Sequence, residues 1–192
     1  MAYASLTEFK TYRGVSNTKD DTLITSLLDR ATVWLDREAK RTLYAENDTT
    51  RNFDSIEDVE GMTLYLDDDL AVVTTITNGD EVVISSSEYV TEPRNNAPYH
   101  AIRLLASSQK SWDGKSNGDS EDALEIVGQW SYFASVPNDL KHFCVRLAAY
   151  AYTQKDATVF DTVAIPDAGV INIPNGFPAD VGRWIRQVRR LR

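Results

Sequence analysis

The spacing of apolar residues changes period twice along this chain, and that constrains the fold more than any other feature. Leu23, Ile24, Leu27, Leu28, Ala31, Trp34 and Leu35 recur at intervals of three and four, which is the period of one helix face. From about residue 43 the pattern turns to short runs rich in β-branched and aromatic residues. They lie at 50–53, 62–66, 70–77, 81–85, 89–91, 99–105 and 123–132 and read as strands. Helical spacing returns after Pro137, with Leu140, Phe143, Cys144, Leu147, Ala148 and Ala151 on one face. It returns again after Pro178, with Val181, Trp184, Ile185, Val188 and Leu191. A pattern that switches once and switches back predicts an α+β fold: a small helical bundle built from both ends of the chain, with a central antiparallel β-rich insertion. The boundaries fall at 1–44 and 134–192 for the helical core and at 45–133 for the insertion.

Local signals place the breaks. Ser5-Leu6-Thr7-Glu8 has the form of a capping box, and Gly14 suits a left-handed helix end. Thr18-Lys19-Asp20-Asp21 opens the second helix in a similar way, and Pro137 suits a first helical turn. Asn78-Gly79-Asp80, between two β-rich runs, is a strong hairpin signal. Asp67-Asp68-Asp69 reads as a solvated turn between strands rather than a cation site. The Gly/Ser/Asp/Lys-rich stretch 107–122 reads as an exposed loop. Pro166, Pro174 and Pro178, with Gly169 and Gly176, exclude a long helix after residue 156. That stretch still holds the apolar run Val170-Ile171-Asn172-Ile173. Two readings of Val170, Ile171 and Ile173 stay open: strand addition to a neighbour's sheet, or an edge strand of this chain's own β insertion.

Charge narrows the choice of partner. The 192 residues carry a formal net charge of −9 and a pI near 4.7, which disfavours nonspecific binding to a phosphate backbone by the molecule as a whole. Residues 178–192 run the other way, with five arginines against one aspartate, so that segment is +4 and the rest of the chain −13. Arg183, Arg186, Arg189, Arg190 and Arg192 fall mostly opposite the apolar face of the last helix. They are expected to dock on an acidic partner, either a sister subunit or another protein. The alternatives are a nucleic-acid backbone, or a solvated face balanced by the chain's own acidic body. Read as an interface, this segment is dispensable for folding, and a chain truncated before Arg183 is expected to stay folded.

Catalytic chemistry finds little foothold. One cysteine and two histidines leave no multi-cysteine zinc site. His142 and Cys144 lie two apart on an expected helix, so they point in different directions and do not form a nucleophile–base pair. His100 has no metal-ligand partner at recognisable spacing. The stretch 113–118 echoes a calcium loop but has Lys115 at the third position and Leu124 where a bidentate glutamate belongs. Neither a nucleophile elbow nor a phosphate-binding glycine loop occurs. No run approaches the ~18 apolar residues of a membrane helix, and MAYASLTEFK lacks a basic-then-apolar signal. The expectation is a chain that is not an enzyme, takes no cofactor or metal, and meets no membrane.

Several motifs together resemble the head-to-tail adaptor (connector) family of tailed bacteriophages. Thr7-Glu8-Phe9-Lys10-Thr11-Tyr12 is followed by Asp20-Asp21-Thr22-Leu23-Ile24-Thr25-Ser26-Leu27-Leu28-Asp29-Arg30-Ala31, which is similar to that family's D-D-x-L-(I/L)-x-x-L-(I/L)-x-x-A segment. Val136-Pro137-Asn138-Asp139-Leu140-Lys141 looks like the family's V-P-x-D-(L/I)-K helix start, continued by Val145-Arg146-Leu147-Ala148-Ala149. Gly176-Phe177-Pro178-Ala179-Asp180-Val181 through Arg189-Arg190-Leu191-Arg192 resembles its closing, arginine-ended helix. The resemblance covers the whole chain in element order and matches the longer members, which carry a β-rich insertion. It implies a virion structural protein of the neck, assembled in the host cytoplasm. Such a protein forms a homo-oligomeric ring of about a dozen copies beneath the portal protein and extends the DNA channel, through which the genome passes without specific binding. The ring is the platform for the next neck or tail-completion protein. The C-terminal arginines would then pair with carboxylates of the portal, while Trp184 packs within the chain. The alternative is a nucleic-acid-binding accessory of DNA packaging that uses the basic C-terminal helix.

Overall fold

The computed structural model describes residues 2–154, 162–165, 169–172 and 178–190. The fold is α+β, and the chain divides into two compact units. One, the helical unit, combines Met1–Lys40 with Val136–Arg192; the other, the β unit, is Arg41–Ser135.

In the helical unit α1 spans Leu6–Arg13. Its capping box forms as the sequence predicts: the Ser5 side chain accepts from the Glu8 amide, and the Ser5 amide donates to Glu8 Oε2 at 2.7 Å. Gly14 ends the helix at φ 67°, a left-handed conformation that costs a residue without Cβ almost nothing. α2 spans Asp21–Ala39, beginning three residues beyond Thr18 and without a side-chain cap. The Asp20 carboxylate is engaged elsewhere, accepting from the Tyr152 hydroxyl at 2.6 Å. α3 spans Asn138–Gln154 and α4 spans Ala179–Val188. Phe9, Ile24, Leu28, Leu35, Leu140, Cys144 and Val181 are buried among these helices, and the Phe9 and Tyr152 rings meet edge to face at 5.6 Å. Burial on this scale is the main source of helix stability in a chain with short helices.

The β unit holds two antiparallel sheets. β1 (Thr49–Phe53), β4 (Val72–Thr77) and β7 (Leu124–Gln129) form a three-stranded sheet in the order β1-β7-β4. β2 (Val59–Glu60), β3 (Thr63–Leu70), β5 (Tyr89–Glu92) and β6 (Tyr99–Leu104) form a second in the order β2-β3-β6-β5. Both contribute to one core, with Phe53, Ile76, Leu124 and Ile126 from the first and Leu64, Leu70, Ile102 and Leu104 from the second.

Two loop-level expectations fail here, each for a stated reason. Asp67-Asp68-Asp69 is not a turn. It lies inside β3, whose pairing with β6 is irregular between Tyr65 and Leu70, and only Ala71 separates β3 from β4. Arginines hold the acids in the strand: Arg51 reaches Asp67 at 2.8 Å and Asp68 at 3.0 Å, and Arg41 reaches Asp69 at 3.2 Å. Residues 81–85 do not form a strand either; one bridge, Thr77 to Val83, is all that follows the Asn78-Gly79 turn. Asn78 is buried and serves as a bracket, donating to the Ser111 carbonyl and Asp113 Oδ2 while accepting from the Asp113 amide. Gly79 lies so close to the Asp113 and Gly114 backbone that a Cβ would collide with it. The stretch 107–122 is correspondingly tied down. Trp112 is buried and donates from its indole to the Met62 carbonyl at 3.0 Å.

Candidate interaction surface

α4 is built with two faces. Val181, Ile185 and Val188 are buried, and the Trp184 ring lies 5.0 Å from the Phe143 ring of α3. Arg146 on α3 pairs with Asp180 in the first turn at 2.7 Å, and the Arg190 amide donates to the Ala39 carbonyl at the end of α2. The helix is therefore part of the core of its unit. That bears against the expectation that a chain cut before Arg183 stays folded, because such a cut removes Trp184, Ile185 and Val188 together. Trp184 packs within the chain, as expected.

The other face carries Arg183 and Arg186, and Arg189 follows the helix in extended backbone; all three are exposed, and none of them forms an ion pair among the described residues. Arg190 is half-buried and engaged. Arg192 lies outside the described residues. Two exposed guanidiniums about one turn apart on α4, with a third on the extended residue that follows it, make a surface that carboxylates or phosphates can pair with bidentately. The structure thus separates the five arginines into three that face outward, one held in the unit, and one outside the described set.

Val170 and Ile171 lie on β9 (Gly169–Asn172), which pairs antiparallel with β8 (Thr162–Ile165) in a two-stranded ribbon separate from both sheets of the β unit. Among the described residues, then, the run does not edge the chain's own β unit. Ile173 lies outside the described residues.

Cys144 is buried, its sulfur 3.6 Å from the Thr32 hydroxyl and 3.7 Å from the Leu28 carbonyl. Burial pushes its thiol up to about 11, which keeps it protonated and poorly nucleophilic near neutrality. His142 is exposed beside the Tyr12 ring at 6.0 Å. The Asp113 carboxylate, at the start of the calcium-loop echo, accepts from Ser111 and Asn78. No group of three His, Cys, Asp or Glu side chains suited to a metal ion occurs among the described residues, and no helix among them is long and apolar enough to cross a membrane.

Two features of this surface were not separable in the sequence. The seven periodic apolar residues of α2 do not share one fate: Ile24, Leu28, Ala31 and Leu35 are buried, Leu27 and Trp34 are half-buried, and Leu23 is exposed. The charge also divides by unit. The β unit holds six basic and eighteen acidic side chains, a net of −12, and the helical unit fourteen and eleven, a net of +3. The acidic body noted in the sequence is thus the β unit in particular.

No family model matches the chain, and no curated protein does. Among solved structures, it is similar to a chain from the neck of an empty gene transfer agent (GTA) particle, computed with C6 symmetry. The two are 17% identical with a TM-score of 0.58, over 99% of this chain and 91% of that one. At that identity the likeness is one of fold, and it takes in both the helical and the β-rich parts.

Proposed function

We propose that this chain is a structural subunit of a virion neck, a head-to-tail adaptor that works by shape and assembly. The observation that carries the reading is the fold likeness to a neck chain over nearly the full length of both. Copies of the chain sit side by side in a ring under the portal protein, extend the DNA channel and present a platform to the next neck or tail protein. The outward arginines Arg183, Arg186 and Arg189, on and just after α4, contact an acidic part of the portal, and the Val170–Ile171 strand, with Ile173, offers backbone for strand addition to a neighbour. A lumen lined by an acidic protein repels phosphates, so the genome passes without being gripped.

Native mass spectrometry and negative-stain microscopy of the chain mixed with its portal test this reading. A closed ring on the portal is the expected result; a monomer that ignores the portal overturns it. The same outward arginines favour a second reading, a DNA-packaging accessory that binds phosphates. It requires an affinity for duplex DNA that falls steeply with salt and weakens in an Arg183→Ala/Arg186→Ala variant. Absence of DNA binding at low salt in a filter assay removes it.

A further inference from the structure

The tripeptide Asn-Gly-Asp occurs twice in this chain, as Asn78-Gly79-Asp80 and as Asn117-Gly118-Asp119. An asparagine before glycine is chemically labile. The glycine nitrogen can attack the asparagine side-chain carbonyl carbon, because no Cβ stands in the way. The two tripeptides are identical, so a large difference between them in the folded chain belongs to the fold.

The fold treats them oppositely. Asn78 is 4% exposed. Its side chain donates to the Ser111 carbonyl at 3.1 Å and to Asp113 Oδ2 at 3.2 Å, and accepts from the Asp113 amide at 3.0 Å. Gly79 is wedged against the backbone of Asp113 and Gly114. A ring between Asn78 and Gly79 cannot close without breaking that bracket. Asn117 and Gly118, in contrast, are both exposed. A Cβ placed on Gly118 would meet nothing within 4 Å, so the ring has room. Asn117 Oδ1 accepts from the Asp119 amide at 3.0 Å, and Nδ2 donates to Asp119 Oδ2 at 2.6 Å. The first bond polarises the carbonyl under attack and sits where negative charge develops on its oxygen. The Gly118 amide donates to the Lys115 carbonyl at 2.9 Å, and the Lys115 amide to the Asp119 carbonyl at 2.8 Å. These bonds lie within the turn itself, whereas the Asn78 bracket spans two distant segments.

We propose that Asn117 is a self-modification site, where the chain converts its own asparagine to aspartate or isoaspartate, and that burial protects Asn78 from the same reaction. In the first step the Gly118 nitrogen gives up its proton to solvent base and bonds to Asn117 Cγ. The Cγ–Nδ2 bond breaks, and Nδ2 takes a proton from solvent and leaves as ammonia. In the second step one water molecule opens the cyclic imide at either of its carbonyls. The sum is amide plus water to acid plus ammonia, with no change of oxidation state. Either product adds one negative charge and turns the contact with Asp119 Oδ2 from attractive to repulsive. The isoaspartate also lengthens the backbone by one atom inside the Lys115–Asp119 turn. The inference does not depend on the adaptor reading.

Peptide-resolved mass spectrometry of the full chain, incubated at mildly alkaline pH, tests it. Asn78, Asn117 and Asn175 fall in separate tryptic peptides; Asn175, which also precedes a glycine, lies outside the described residues. In the folded chain conversion at Asn117 is expected to outpace that at Asn78 by about tenfold or more, since Asn78 reacts only through local opening. In denaturant the two rates are expected to converge. Gly118→Ala is expected to slow Asn117 and leave Asn78 unchanged, because the attacking nitrogen then carries a hindered neighbour. Equal rates at the two sites in the folded chain, or a gap that persists in denaturant, overturn the assignment. An unchanged Asn117 rate in Gly118→Ala means direct hydrolysis by water and overturns the backbone attack.

Discussion

Two arginines of the β unit and three of the helical unit do opposite work. Arg41 and Arg51 are turned onto their own unit. The Arg41 guanidinium lies 4.6 Å above the Tyr132 ring and pairs with Asp69, while Arg51 lies 4.6 Å above the Trp130 ring and pairs with Asp67 and Asp68. In the helical unit Arg183, Arg186 and Arg189 point outward, away from the apolar face that anchors their helix. The β unit, at −12, uses its few cations to make an acidic strand compatible with a sheet, because like charges crowded on a strand repel. The helical unit pairs Lys10, Lys141 and Arg146 with its own acids but leaves Arg183, Arg186 and Arg189 outward. The same side chain is thus structural where its acids are fixed nearby, and available where they are not.

The largest expected effect tests how far the outward arginines can be separated from the helix that carries them. Truncation before Arg183 removes Trp184, Ile185 and Val188, and thermal or urea unfolding should show a loss of ~5 kcal/mol or more; an unchanged midpoint would return the helix to a dispensable role. Next is Arg41→Ala. Both partners of this pair have side chains only 12% exposed, and leaving Asp69 uncompensated is expected to lower stability by about 3 kcal/mol. Arg51→Ala, at a more open site, should lower it by about 1 kcal/mol.

A smaller effect sits in the helical unit. The Ser5 backbone N–H, despite opposing desolvation, holds the Glu8 carboxyl below its ordinary range, assisted by the Ser5 hydroxyl and by Lys141. A carboxyl depressed on folding stabilises at pH above its unfolded value, and that contribution disappears as pH falls through the lower folded value. Melting temperature should therefore decline on acidification below about pH 4.5, more for the wild type than for Glu8→Gln, which has no such titration. The smallest stability effect belongs to Arg183→Ala/Arg186→Ala, expected within about 0.5 kcal/mol of wild type. That near-silence, together with weakened portal binding in a pull-down, would sharpen the contrast with Arg41; a large destabilisation would erase it.

The elements easiest to read were those whose causes lie within a few residues. The Ser5–Glu8 box and Gly14 set α1 by themselves, and the three-and-four spacing marked α2 and α3 almost to the residue. The outward arginines of α4 were legible for the same reason, since helix geometry sorts its two faces. The split of burial within α2 was not. Periodicity marks Leu27 and Trp34 as apolar without saying that Leu28 is buried while they are only half-buried.

What the chain of residues determined alone was its α+β class, its helix starts and stops, and the charge imbalance of its last segment, because caps, helical periodicity and net charge are local or additive. What only the tertiary structure decided was which surfaces face which. β1 and β4 find their common partner β7 far along the chain, Asn78 brackets a loop 35 residues away, and Asp69 lies in a strand because Arg41 meets it there. Each of these depends on a partner brought close by folding, and neither spacing nor propensity carries that distance.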